Sequence, residues 1–139
     1  MSIERTFSIV KPDAMAAGHA GEILAMIQKA GFKLLGLRMT RLATAQARAF
    51  YAVHRERPFY NGLVEFMTEG PIVVMALERE DAVKELRKVM GATDPAKADE
   101  GTIRKRFGTN IERNAIHGSD ATETAAAELA FFFNSADLL

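Results

Sequence analysis

Apolar and polar positions alternate over residues 6–10, Phe7 and Ile9 set against Thr6 and Ser8. That is the period of a strand, and Lys11-Pro12-Asp13 ends it. Ala20, Ile23, Leu24 and Ile27 then recur at helical spacing, so a helix is expected over 20–30, stopped by Gly31. Leu35, Leu37 and Met39 alternate with Gly36, Arg38 and Thr40 as a second strand. Thr44 suits the N-cap of a helix running through Phe50 to His54. Pro58 interrupts, and a short helical piece follows over 61–67. Gly70-Pro71 introduces the unbroken apolar run 72–77, the mark of a buried strand. Ala82, Val83, Leu86, Val89 and Met90 form the stripe of a further helix, closed by Gly91.

Residues 92–114 are polar and without period, and a loop of that length in a compact chain is usually functional. Residues 115–117 make at best a very short strand. Asp120-Ala-Thr-Glu123 reads as a capping box opening a helix with Ala125, Leu129 and Phe132 on one face. The order β-α-β-α-β-α-β-α places the chain in the α+β class. The arrangement expected is a ferredoxin-like split βαβ, a four-stranded antiparallel sheet with helices on one face. With no repeat and no linker, one domain over 1–139 is expected.

Of the 139 residues 48% are hydrophobic and 26% charged, enough for a core and a solvated surface. Eighteen basic and eighteen acidic residues cancel, so no global field draws the chain to nucleic acid or an anionic membrane. The absence of cysteine excludes disulfides and thiolate metal sites and fits a reducing cytoplasm. The first residues lack the layout of a signal peptide, and the run 72–77 is too short to cross a bilayer. No membrane partner and a cytoplasmic location are expected.

The chemistry gathers at Asn114-Ala-Ile-His-Gly-Ser-Asp120, which sets an imidazole beside a glycine just before a helix start. Alone, His117 also fits a structural role; its company favours a nucleophile meeting an anion. Ser119 and the helix N-terminus offer donors, and Glu128, two turns further on, can fold back to orient the ring. Arg87 and Arg104 suit phosphate oxygens because a guanidinium fork binds them bidentately, although either could be a solvated surface charge. Lys11 ends a buried strand, where ligand sites commonly form. Phe59, among the bases and aromatics of 51–60, could stack on a nucleobase or belong to the core. Glycine-rich phosphate loops and zinc motifs are both missing.

These residues carry a resemblance. Thr6-Phe-Ser-Ile-Val-Lys-Pro-Asp-Ala14, His54-Arg-Glu-Arg-Pro-Phe-Tyr60, Gly70-Pro71, Met90-Gly-Ala-Thr-Asp-Pro95, Gly101-Thr-Ile-Arg104 and the His117 segment occur in order along nearly the whole chain. In this the chain resembles the nucleoside diphosphate kinases. The resemblance implies ping-pong transfer of the γ-phosphoryl group, mainly from ATP, to a nucleoside diphosphate through phosphorylated His117. It implies that Phe59 stacks on the base, with Leu63 and Ile111 at its other contacts, and that Lys11 and Asn114 hold the ribose hydroxyls and a phosphate oxygen. Arg87, Thr93 and Arg104 would grip the β- and γ-phosphates, and Tyr51 would sit beside the transferring group. Ser119 and Glu128 would fix the imidazole, and Mg²⁺ would arrive on the nucleotide phosphates.

The resemblance further implies a homo-oligomer, a tetramer or hexamer built from a common dimer; Glu100, where many members have proline, favours the tetramer. Arg106 stands where the family usually has an acidic residue, so a brace on the long loop is expected to be lost. His19-Ala20 replaces a more aliphatic pair. Two other readings compete: a nucleic-acid-binding module, which would need aromatics projecting from its central strands, and a nucleotide sensor without turnover.

Overall fold

The computed structural model describes residues 2–139. Strand β1 (Ile3–Val10) lies between two partners. It pairs antiparallel with β3 (Ile72–Glu80), from Ile3 opposite Glu80 to Val10 opposite Val73, and with β4 (Ile116–Gly118), where Ile9 faces His117. Strand β2 (Lys33–Thr40) pairs antiparallel with β3, with a register shift between Leu34 and Gly36. The sheet order is β2-β3-β1-β4, the split βαβ arrangement expected from the pattern.

Helices α2 (Ala20–Lys29) and α5 (Ala82–Met90) share one face of this sheet, packing Ile23, Ile27, Leu86 and Met90 on Met75, Leu77 and Val10. Helices on one face therefore describes this crossover pair and not the whole chain. The other face is covered by α3 (Thr44–Phe50), α4 (Tyr60–Met67) and α7 (Thr122–Phe132), whose Ala47, Val64, Met67, Leu129 and Phe132 close over Phe7, Ile9 and Val74. With both faces covered, the polar positions of β1 are buried as well, Thr6 and Ser8 at 0% exposure. Ser8 meets the cost by donating its hydroxyl to the His117 carbonyl at 2.8 Å.

Several local expectations are corrected. Pro12 does not merely end β1; it opens the short α1 (Pro12–Ala16), its fixed φ suiting a first helical position. Thr44 is the first helical residue and not the cap; Ala43 is the N-cap, its N–H donating to the Gln46 side chain at 2.9 Å. The helix begun there ends at Phe50, and a separate 3₁₀ turn holds Ala52–His54. The capping box at Asp120 does not form. The Ser119 N–H donates to the Phe7 carbonyl at 3.1 Å, which prolongs the extended pairing beyond β4, so α7 starts only at Thr122.

The loop 92–114 holds a 3₁₀ turn, Pro95–Lys97, and the helix α6 (Ile103–Phe107), capped by the Thr102 hydroxyl. Its brace is not lost. Arg106 donates to Glu22 of α2 at 2.9 Å and lies over the Phe107 ring, on which His19 also packs with ring centres 4.4 Å apart. The residues at 19 and 106 that depart from the family pattern thus form one contact between α2 and α6. Among the described residues, no helix is long and apolar enough to cross a membrane.

Candidate active site

The sheet delivers His117 on its shortest strand. Gly118 follows because α5 passes so close that a Cβ there would stand 2.5 Å from the Met90 sulfur. The imidazole lines a cavity of about 440 Å³. It is gripped from behind: Nε2–H donates to Glu128 Oε1 at 2.9 Å, and the Ser119 hydroxyl donates to the same oxygen at 2.6 Å. A carboxylate can only accept, so the ring proton is fixed on Nε2 and the Nδ1 lone pair is free. No described side chain bonds Nδ1. Phe7 and Phe50 meet the ring edge-on, with centres 6.0 and 5.8 Å away.

Two elements converge on the floor of the cavity. Lys11, where β1 meets α1, is 8% exposed and donates to Asn114 Oδ1 at 2.8 Å. The Asn114 amide donates in turn to the carbonyls of Thr93 and Ile111, so the long loop is tied to the strand end. Burial, with the Arg104 guanidinium second, pulls the Lys11 ammonium down to about 8 from its ordinary 10.5. The Tyr51 hydroxyl is buried without a partner among the described residues. Burial first and the Glu128 carboxylate second push its pKa far up, so it remains a donor in wait of an acceptor. Phe59, 51% exposed, and Leu63 form an apolar lip on one side, with the exposed Ile111 opposite.

Of the residues expected at the site, Lys11, Tyr51, Phe59, Leu63, Thr93, Ile111, Asn114 and His117 line this one cavity. Ser119 and Glu128 stand behind the ring. Arg104 and Arg87 do not line it. Arg104 is 7% exposed and donates to the Gly91 and Ile116 carbonyls at 3.2 and 2.8 Å, with its Nε buried and without a partner among the described residues. Burial, and next the neighbouring Arg87 charge, lower it to about 10. Arg87 itself is exposed in an adjoining groove with Lys88, Lys97 and Thr102.

Two lining residues were not singled out from sequence. His54 packs beside Phe59, and its signals were its place among the bases and aromatics of 51–60 and at the head of a segment that carries the resemblance. Glu112 had none, since its neighbours in the loop show no period.

A histidine held by a carboxylate and facing a buried lysine, an amide and two hydroxyls beneath an apolar lip is chemistry suited to moving a phosphoryl group on a nucleotide. The family model for nucleoside diphosphate kinase matches residues 4–138. The chain is 53% identical over 137 residues to the nucleoside diphosphate kinase of Nitratidesulfovibrio vulgaris (strain DP4), covering 99% of each. Among solved structures it is similar to the Aquifex aeolicus nucleoside diphosphate kinase, with a TM-score of 0.97, 45% identity, and coverage of 99% of this chain and 100% of that one. It is also similar to the Halobacterium salinarum nucleoside diphosphate kinase, a structure in complex with CDP, with a TM-score of 0.94 and 39% identity, covering 99% and 92%. The chain belongs to the nucleoside diphosphate kinase family and is an enzyme of that class.

Proposed function

We propose that residues 1–139 form one domain that moves the γ-phosphoryl group of a nucleoside triphosphate, mainly ATP, to a nucleoside diphosphate by way of Nδ1 of His117. The carrying observation is the Nε2–H bond to Glu128, which commits one ring nitrogen and leaves the other as a nucleophile in the cavity. In the first half-reaction the Nδ1 lone pair bonds to the γ-phosphorus. The bond from that phosphorus to the β-bridging oxygen breaks, and its electrons leave with the diphosphate. Positive charge grows on the ring as this happens, and Glu128 stabilises it. A second diphosphate takes the same place and the steps reverse, which is ping-pong turnover.

Phosphoryl transfer asks chiefly for alignment and positive charge at the equatorial oxygens. Lys11, Asn114 and Thr93 stand where a polyphosphate would lie, and Tyr51 can donate beside the nucleophile. Arg87, in the adjoining groove, and Arg104, bonded to the Gly91 carbonyl, would bring positive charge from the side. Phe59, Leu63 and Ile111 would sandwich the base by stacking and packing, so discrimination among bases is expected to be slight. The donors around the cavity suit phosphate oxygens better than a bare cation, so Mg²⁺ would be held by the nucleotide, where it would neutralise charge on the phosphates. We place the enzyme in the cytoplasm as a homo-oligomer, a tetramer before a hexamer; the outer edge of β2, with Leu37 and Met39 exposed, supports association.

The test is transfer of label. Incubation with γ-labelled ATP is expected to give an acid-labile, base-stable phosphoprotein, and addition of GDP to release the label as GTP. His117→Ala is expected to abolish labelling with the far-ultraviolet spectrum unchanged. Normal labelling of that variant would overturn the assignment. A sensor would bind without labelling.

A further inference from the structure

The turn that delivers His117 is strained, and a carboxylate outside the cavity holds it. Ala115 has φ of 74°, the left-handed region that a Cβ disfavours. The Ile116 N–H donates to the Asn114 carbonyl at 2.9 Å, closing a three-residue γ-turn over Ala115. Turns of this hand are rare and strained, and such strain persists only where its surroundings over-determine it. Here two bonds pin the one residue. Its carbonyl accepts from the Lys11 N–H at 2.9 Å, and its N–H donates to Asp13 Oδ2 at 3.1 Å.

Asp13 is well anchored for the purpose. It follows Pro12 in the first turn of α1, so its backbone is set by the junction that also places Lys11. It does not line the cavity, and its second oxygen, Oδ1, is buried with no partner among the described residues. A carboxylate with one oxygen buried and unpaired costs stability, and the bond that Oδ2 accepts from Ala115 offsets part of that cost.

We propose that Asp13 is a positioning residue: by accepting the Ala115 N–H it holds the strained turn, and so aims the imidazole of His117 two residues further on. This rests on His117 as the nucleophile. Without the bond the turn relaxes toward an ordinary φ, β4 shifts against β1, and Nδ1 leaves the line of transfer while the cavity lip and its apolar contacts stay in place. The proposal therefore places the loss in the chemical step and not in nucleotide binding.

The experiment compares Asp13→Ala, Asp13→Asn and the double variant Asp13→Ala with Ala115→Gly, in single-turnover phosphoenzyme formation and in steady state. Asp13→Ala is expected to slow phosphoenzyme formation by about tenfold or more, with KM changed by less than about threefold. Asn keeps an acceptor for the Ala115 N–H, so Asp13→Asn recovers most of the rate. Glycine accepts φ near 74° without strain, so the double variant also recovers, although it restores no contact of Asp13. A wild-type rate for Asp13→Ala, a loss confined to KM, or a double variant as slow as Asp13→Ala would each overturn the proposal. Should Asp13→Ala fail to fold, the double variant decides: folded and fast supports it, while folded and slow, or unfolded, overturns it. Wild type run alongside separates the two claims, because absence of its phosphoenzyme would sink the nucleophile assignment instead.

Discussion

Glu128 Oε1 accepts two hydrogen bonds, from His117 Nε2 at 2.9 Å and from the Ser119 hydroxyl at 2.6 Å. Two substitutions take this oxygen apart. Glu128→Gln keeps an acceptor of the same shape and removes the charge. Bonds to an ionised acceptor are roughly twice as strong as neutral ones, so about 1–1.5 kcal/mol of support for the developing imidazolium is lost. That is roughly tenfold in the transfer rate. Glu128→Ala removes the acceptor altogether, leaves the ring proton free to sit on either nitrogen, and strands the Ser119 hydroxyl. The whole charged bond, about 1.5–3 kcal/mol, is then forfeited, or about 10- to 150-fold. Glu128 does not line the cavity, so nucleotide KM is expected to stay within about twofold of wild type. Rapid-quench measurement of phosphoenzyme formation reads the rate directly. Rates within twofold of wild type for both variants, or a loss carried by KM alone, would refute the role given to this oxygen.

Three more outcomes are expected. Lys11 carries its proton in the empty protein only below about 8, so diphosphate affinity, measured by calorimetry from pH 7 to 9.5, weakens as pH rises through that value. The sign for stability is opposite: the folded pKa lies below the ordinary 10.5, the unfolded chain binds more protons in between, and Lys11 contributes stability that rises with pH across that window, a slope Lys11→Met would abolish. Phe59→Ala raises KM for adenine, guanine, cytosine and uracil nucleotides alike, by the equivalent of about 1–3 kcal/mol, with kcat little changed; a fall in kcat instead would remove Phe59 from the base contact. The Arg106–Glu22 pair is 2.9 Å long but its side chains are 45% and 58% exposed, so Arg106→Glu costs at most about 1 kcal/mol and lowers Tm by a few degrees, and adding Glu22→Lys restores it.

The elements legible in the sequence were those with enough length to show a period. Strands around Phe7 and Val74 and helices around Ile23 and Leu86 announce themselves through repeated apolar spacing. Helices α1 and α6 span five residues each, and Ile103 with Phe107 makes a single helical pair, too little to register as a pattern. Cap residues misled where tertiary pairing won: Asp120 has the right chemistry for a helix start, but the bond from Ser119 to Phe7 keeps the chain extended past it. The second helical layer, over Thr6 and Ser8, could not be seen because these two look like a solvent face; they are polar residues buried under α2 and α5. At the site, the pairing of His117 with Glu128 could be anticipated from two turns of helix. The bonds that bring Lys11 to Asn114, and Arg104 to the Gly91 and Ile116 carbonyls, join residues 103, 13 and 12 positions apart, and nothing local encodes them.

Gly118 gives α5 its close seat against β4, and that seat has a mechanical meaning. The same helix bears Arg87, and the strand bears His117, the nucleophile proposed above. One hydrogen atom where every other amino acid has a carbon thus sets the spacing between the imidazole and an arginine that would meet the incoming phosphates. A methyl group there would not touch either, yet it would wedge them apart together, so the chemistry is gauged by a position that takes no part in it.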